Sequence, residues 1–141
     1  MTPEQIALVQ SSFQRAKPQL PALTTHFYDE LFTRDPDLRS MFTTDMNLQK
    51  VRFAEKLTEI VNSIPRLGDL IAHTHALGAR HVGYGVRAAD YPTVGDSLLG
   101  ALESVLGDSF DEPTRGAWSA AFNLVAETML DGAASARLIS R

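Results

Sequence analysis

Four histidines, three tyrosines and no cysteine set the chemistry open to this 141-residue chain. Without a thiol there is no disulfide, no thiolate-bound zinc or iron–sulfur cluster, no thiolate-ligated haem and no cysteine nucleophile, so imidazoles and carboxylates must carry any metal chemistry. His73 and His75 are the nearest approach to a metal pair, but a spacing of two turns their rings about 200° apart around a helix, and they diverge as surface residues. His81 differs from them. It follows Leu70, Ile71, Thr74, Leu77 and Gly78 at helical spacing and precedes Gly83 and Gly85, so its imidazole is expected to face inward from a loosely held helix end. Two readings stay open at this point, a satisfied core histidine and a ligand. The glycine loops that cradle phosphates, the nucleophile elbow of hydrolases and the two-histidine metal helix are all missing from the sequence.

The elements that must position these residues read as helices. Thr2-Pro3-Glu4-Gln5 forms a capping box ahead of Ile6, Val9 and Phe13. Pro18 and Pro21 restart the chain into a second helix whose buried stripe is Leu23, Phe27, Tyr28, Leu31 and Phe32. Asp35-Pro36 opens a short corner helix that ends at Phe42, and Thr43-Thr44-Asp45 is turn-like. From Met46, Phe53, Leu57, Ile60, Val61 and Ile64 recur at three and four until Pro65. Leu67 to His81 is a fifth segment. Asp90-Tyr91-Pro92 opens another, stopped by Gly107, and Asp111 or Glu112 with Pro113 starts the last, whose inner face is Ala117, Trp118, Ala121, Phe122, Val125 and Met129. Strand alternation, repeats and linkers are lacking, so the spacing predicts an irregular all-α domain spanning residues 1–141.

Composition narrows the partners. Hydrophobic residues at 44% and charged residues at 21% are those of a folded globular chain. Seventeen acidic against thirteen basic residues, a net charge of -4, make a nucleic-acid partner a poor expectation. With neither a basic start followed by an apolar core nor a run of about 20 apolar residues, a cytoplasmic protein with no membrane partner is expected.

Taken together, Phe27-Tyr28-Asp-Glu-Leu31-Phe32, the corner Pro36-Asp-Leu-Arg39-Ser-Met-Phe42, Gln49, Leu77-Gly78-Ala-Arg80-His81 and Tyr91-Pro92-Thr-Val94-Gly95-Asp-Ser-Leu98-Leu99 resemble a bacterial globin. The pattern is similar to the single-domain globins related to Vitreoscilla haemoglobin and to the haem domain of flavohaemoglobins, over nearly the whole chain. The resemblance implies a globin fold of six to eight helices enclosing haem b. It makes His81 the proximal iron ligand, a neutral imidazole that leaves the sixth position open. Phe42 becomes the corner aromatic lying flat against the porphyrin, and Tyr28 and Gln49 the distal pair that hydrogen-bonds dioxygen. Phe53, four residues beyond Gln49, forms the distal roof where aliphatic residues are more usual in the family. Arg52, Lys56 and Arg80 are candidates to hold the propionates. Val94 and Trp118 are pocket residues.

Tyr91 stands at the family's proximal tyrosine, but its glutamate partner, expected fifteen residues past Trp118, is Ala133; Glu127 is two turns away. Loss of an ionised partner argues against strong peroxidase-like chemistry. The implied function is reversible dioxygen binding, with nitric oxide dioxygenation supported by a separate reductase, in a monomer or weak homodimer; nitric oxide and carbon monoxide are further ligands. A gas sensor or the sensor domain of a larger protein, and a storage or delivery protein, are the alternatives.

Overall fold

The computed structural model describes the backbone of residues 1–139 and the side chains of residues 1–136. Among the described residues there are six α-helices and no strand: α1 Pro3–Ala16, α2 Leu20–Arg34, α3 Met46–Ser63, α4 Leu67–Gly83, α5 Asp90–Leu106 and α6 Glu112–Ile139. The helix ends follow local chemistry. Thr2 Oγ1 accepts from the Gln5 amide at 3.1 Å while Gln5 Oε1 accepts from the Thr2 amide at 2.9 Å, the reciprocal bonding its spacing predicts. Gly107, at φ 58°, ends α5 in a conformation that a side chain would strain.

Three details add to the sequence expectations. The Pro36–Met41 corner is a 3-10 helix, its start capped by Asp35 Oδ1, which accepts from the Asp37 amide at 3.2 Å. Asp45, read as part of a turn, caps α3 by accepting from the Asn47 amide at 3.1 Å. Asp90 opens α5 as expected, but its buried carboxylate accepts from the backbone and guanidinium of Arg87 at 2.9 and 3.0 Å, clasping the preceding turn.

The main core gathers Val9 and Phe13 of α1, Leu23, Phe27 and Leu31 of α2, Leu98 and Leu102 of α5, and Trp118 of α6. Trp118 Nε1 donates to the buried Ser12 hydroxyl at 2.8 Å, so the indole satisfies its one donor while tying α1 to α6. The tightest crossing is α4 on α6. A Cβ on Gly78 would fall on the Met129 backbone, and one on Gly132 on the His75 carbonyl, so both helices meet backbone to backbone. Beside this crossing the buried hydroxyls of Thr74 and Thr128 share a short hydrogen bond. His81 lies three residues beyond Gly78, and this crossing therefore fixes where its imidazole emerges. No helix among the described residues is long and apolar enough to cross a membrane.

Candidate functional site

A cavity of about 280 Å³ opens inside the ring formed by α2, α3, α4, α5 and α6. Its walls are almost wholly aromatic and aliphatic: Phe27, Phe53, Leu57 and Ile60 on one side, Leu77, Val94, Trp118 and Met129 on the other. Four polar side chains reach it: Gln49, Arg52 and Lys56 from α3, and His81 from α4. A few converging polar groups in an apolar hollow are the usual makeup of a cofactor site.

His81 has a defined tautomer. Its Nδ1 lies 2.8 Å from the Leu77 carbonyl oxygen, which can only accept, so Nδ1 carries the proton and Nε2 keeps a lone pair. Burial lowers the imidazole pKa below its ordinary value, outweighing the Leu77 bond that opposes it, and Arg80 pushes in the same direction as burial. At neutral pH the ring is therefore an uncharged nitrogen donor. The ring of Tyr84, 61% exposed, meets it edge-on at 5.5 Å.

On the opposite wall, Gln49 Nε2 donates to the Tyr28 hydroxyl oxygen at 3.1 Å. Burial pushes the Tyr28 hydroxyl up to about 12 against the opposing pull of that bond. Since the amide donates to the phenol oxygen, the phenol keeps its own O–H for another acceptor. Tyr28 is only 3% exposed and sits in an aromatic cluster: edge-on to Phe42 at 5.5 Å and to Phe53 at 5.8 Å, while Phe53 stacks on Phe27 at 4.3 Å.

The sequence candidates divide between the lining and its support. Gln49, Arg52, Phe53, Lys56, His81, Val94 and Trp118 line the cavity; Tyr28 borders it through its hydrogen bond with Gln49 and its ring contact with Phe53, and Phe42, expected flat against the porphyrin, packs instead on Tyr28 outside the lining. Arg80 is exposed on α4 outside the lining. Tyr91 is buried in a smaller cluster with Leu77 and Met129. Ala133 is buried, and Glu127 is exposed on a groove between α5 and α6. His73, read as a surface residue, is partly exposed and also reaches α3, with Lys56 Nζ 3.4 Å from its Nε2 and donating to Glu59 at 2.8 Å. The sequence reading missed the part played by the Leu77 carbonyl, because a helix places a carbonyl four residues before every side chain and nothing marks this one.

The residues suit one kind of occupant. An uncharged imidazole with a lone pair suits iron, apolar walls suit a flat macrocycle, and Arg52 and Lys56 on the solvent side suit carboxylates at its edge. A globin family model matches residues 25–129. The chain belongs to the globin family. Its relatives include the flavohemoprotein of Vibrio cholerae, 28% identical over 93% of this chain and 34% of that protein. The flavohemoprotein of Deinococcus radiodurans is 30% identical over 92% of this chain and 33% of its own length. The chain thus spans about a third of these relatives.

Among solved structures, an engineered carbene transferase from Rhodothermus marinus, provisionally named a nitric oxide dioxygenase, superposes with a TM-score of 0.87 at 26% identity, covering 99% of this globin and 97% of that chain. A bacterial globin from Campylobacter jejuni superposes with a TM-score of 0.84, also at 26% identity, over 99% of this globin and 100% of that one.

Proposed function

We propose that this globin holds haem b through His81 Nε2, binds dioxygen reversibly and, when a separate reductase supplies electrons, supports nitric oxide dioxygenation. The observation that carries the reading is the pairing of a neutral, lone-pair-bearing His81 on α4 with the Gln49–Tyr28 hydrogen bond on the α2–α3 side. When bound, haem supplies the ferrous iron that takes a diatomic gas and exchanges electrons with it.

The chain's own residues do the rest. The Tyr28 O–H donates toward the gas, and the Gln49 amide, by donating to the same oxygen, polarises that O–H and aims it. A hydrogen bond to a ligand that carries partial negative charge is worth about 1.5–3 kcal/mol, or roughly ten- to a hundred-fold in affinity. Carbon monoxide develops less charge and gains less. The Leu77 carbonyl orients His81 without the extra basicity an ionised carboxylate would confer, which favours reversible binding over oxygen–oxygen cleavage. Phe27, Phe42 and Phe53 keep water from the phenol. Arg52 and Lys56 would neutralise the carboxylates at the haem edge.

The test loads the protein with haem, reduces it anaerobically, and adds dioxygen and then nitric oxide while recording visible spectra and nitrate. A stable dioxygen spectrum followed by about one nitrate per haem is expected from the stoichiometry of the reaction. No spectral response to dioxygen would overturn the binding claim, and a response without nitrate the dioxygenation claim.

A further inference from the structure

The helices α5 and α6 do not close along their whole seam. Small residues there, Gly95, Ser119 and Ala126, leave a surface groove of about 490 Å³. One residue among those described lines both this groove and the inner cavity, Phe122. Its ring is half-buried and lies against Gly95, where an added Cβ would come within 2.8 Å of Cε2 and 2.9 Å of Cδ2. A glycine inside a helix costs about 0.5–1 kcal/mol relative to alanine, and here it makes room for that ring. Phe122 is thus a wall common to the groove and the cavity, and it packs against the cluster of Leu77, Tyr91 and Met129 on the His81 side.

The other approach to the cavity is differently built. On the α3 side Gln49 is held by Tyr28, Phe53 is stacked on Phe27, and the solvent side carries the cations Arg52 and Lys56, the second paired with Glu59. The groove side instead carries two carboxylates, Asp96 and Glu127. An anion is drawn to the first opening and repelled at the second, whereas an uncharged diatomic gas is indifferent to both and passes wherever the apolar wall gives way.

We propose that Phe122 is a gate through which small uncharged gases reach the cavity from the α5–α6 groove, while anionic ligands use the α3–α4 side. This rests on the haem-binding reading above. Aromatic side chains at such a wall move by rotamer exchange, and gas passage then scales with the fraction of time the ring stands aside.

The experiment measures carbon monoxide association with the ferrous haem-loaded protein by flash photolysis, and azide association with the ferric form by stopped flow. Ser119→Trp fills the groove from outside without touching the inner cavity; it is expected to slow carbon monoxide association by about three-fold or more and to leave azide association unchanged. Phe122→Ala is expected to speed carbon monoxide association by a similar factor, about three-fold. Should Phe122→Ala fail to fold, the Ser119→Trp comparison decides alone. Haem-loaded variants that take up carbon monoxide at the parent rate, or a Ser119→Trp protein that slows azide and carbon monoxide equally, would overturn the gate. A parent chain that takes up no haem would instead overturn the reading beneath it, and the Soret band of each sample separates the two failures.

Discussion

The Tyr28 hydroxyl, pushed up to about 12 by burial, stays protonated throughout the range in which proteins work, so it is available as a donor rather than as a phenolate. Two predictions belong to this residue. Tyr28→Phe removes the donor while keeping the ring that packs on Phe42 and Phe53, and dioxygen release measured by stopped flow should speed about ten-fold or more; an unchanged rate would show that the hydroxyl does not reach the ligand. The second concerns alkaline stability. The hydroxyl ionises near 10 in the unfolded chain and near 12 in the folded one, so between those values the unfolded state holds fewer protons and stability falls with rising pH. A shift of two pH units is roughly 2–3 kcal/mol, fully present below pH 10 and lost as pH rises through 12. Urea midpoints measured across that window should drop for the parent and drop less for Tyr28→Phe. His81 runs the other way: burial depresses its imidazole, so the unfolded chain binds the proton more readily and stability is lost as pH falls through the ordinary imidazole range.

Helix α4 is positioned by what its neighbours lack. Gly78 and Gly132 give up side chains so that α4 and α6 can touch backbone to backbone, and replacing either with alanine must push the helices apart. Each of Gly78→Ala and Gly132→Ala should cost about 2–4 kcal/mol in a denaturant titration and loosen the hold on His81. Gly116, also in α6, has open space around its missing side chain, and Gly116→Ala should gain about 0.5–1 kcal/mol. If all three variants behaved alike, the crossing would not be what places His81. The contrast shows what the sequence made legible. Proline, glycine and capping residues mark helix ends through local hydrogen bonding, so the α1 capping box, the Pro65 break and the Gly107 stop could all be read directly. Which helix faces which is a long-range matter. Gly78 on α4 and Gly132 on α6 look alike in sequence to Gly68 and Gly116, and only the folded chain distinguishes a glycine that admits a neighbouring backbone from one facing open space. The cavity followed the same division: residue type and family spacing singled out His81, which lines it, and Tyr28 and Gln49, which are hydrogen-bonded to each other, while the part of Phe122 as a shared wall depends on two cavities that no spacing reveals.

Charge is unevenly spread over the whole molecule. Residues 46–87, which include α3 and α4, carry six basic and three acidic side chains, whereas residues 90–136, which span α5, the turn after it and most of α6, carry one basic and eight acidic. The net charge of -4 conceals this polarity. An acidic electron donor of the kind proposed for nitric oxide turnover would be steered toward the α3–α4 face. Reduction by such a donor should therefore slow as ionic strength rises, because exposed charges are screened beyond about 10 Å in 0.1 M salt. A rate indifferent to salt would mean that this polarity does not guide the encounter. The ligand-binding and electron-transfer expectations depend on His81 holding iron in the cavity, and that claim has a direct measurement: the ferrous spectrum of the haem-loaded parent beside that of His81→Gly, with and without added imidazole. The account predicts a five-coordinate histidine-ligated spectrum for the parent, its loss in His81→Gly, and its return when imidazole fills the space. A His81→Gly protein whose spectrum matches the parent without imidazole would contradict it.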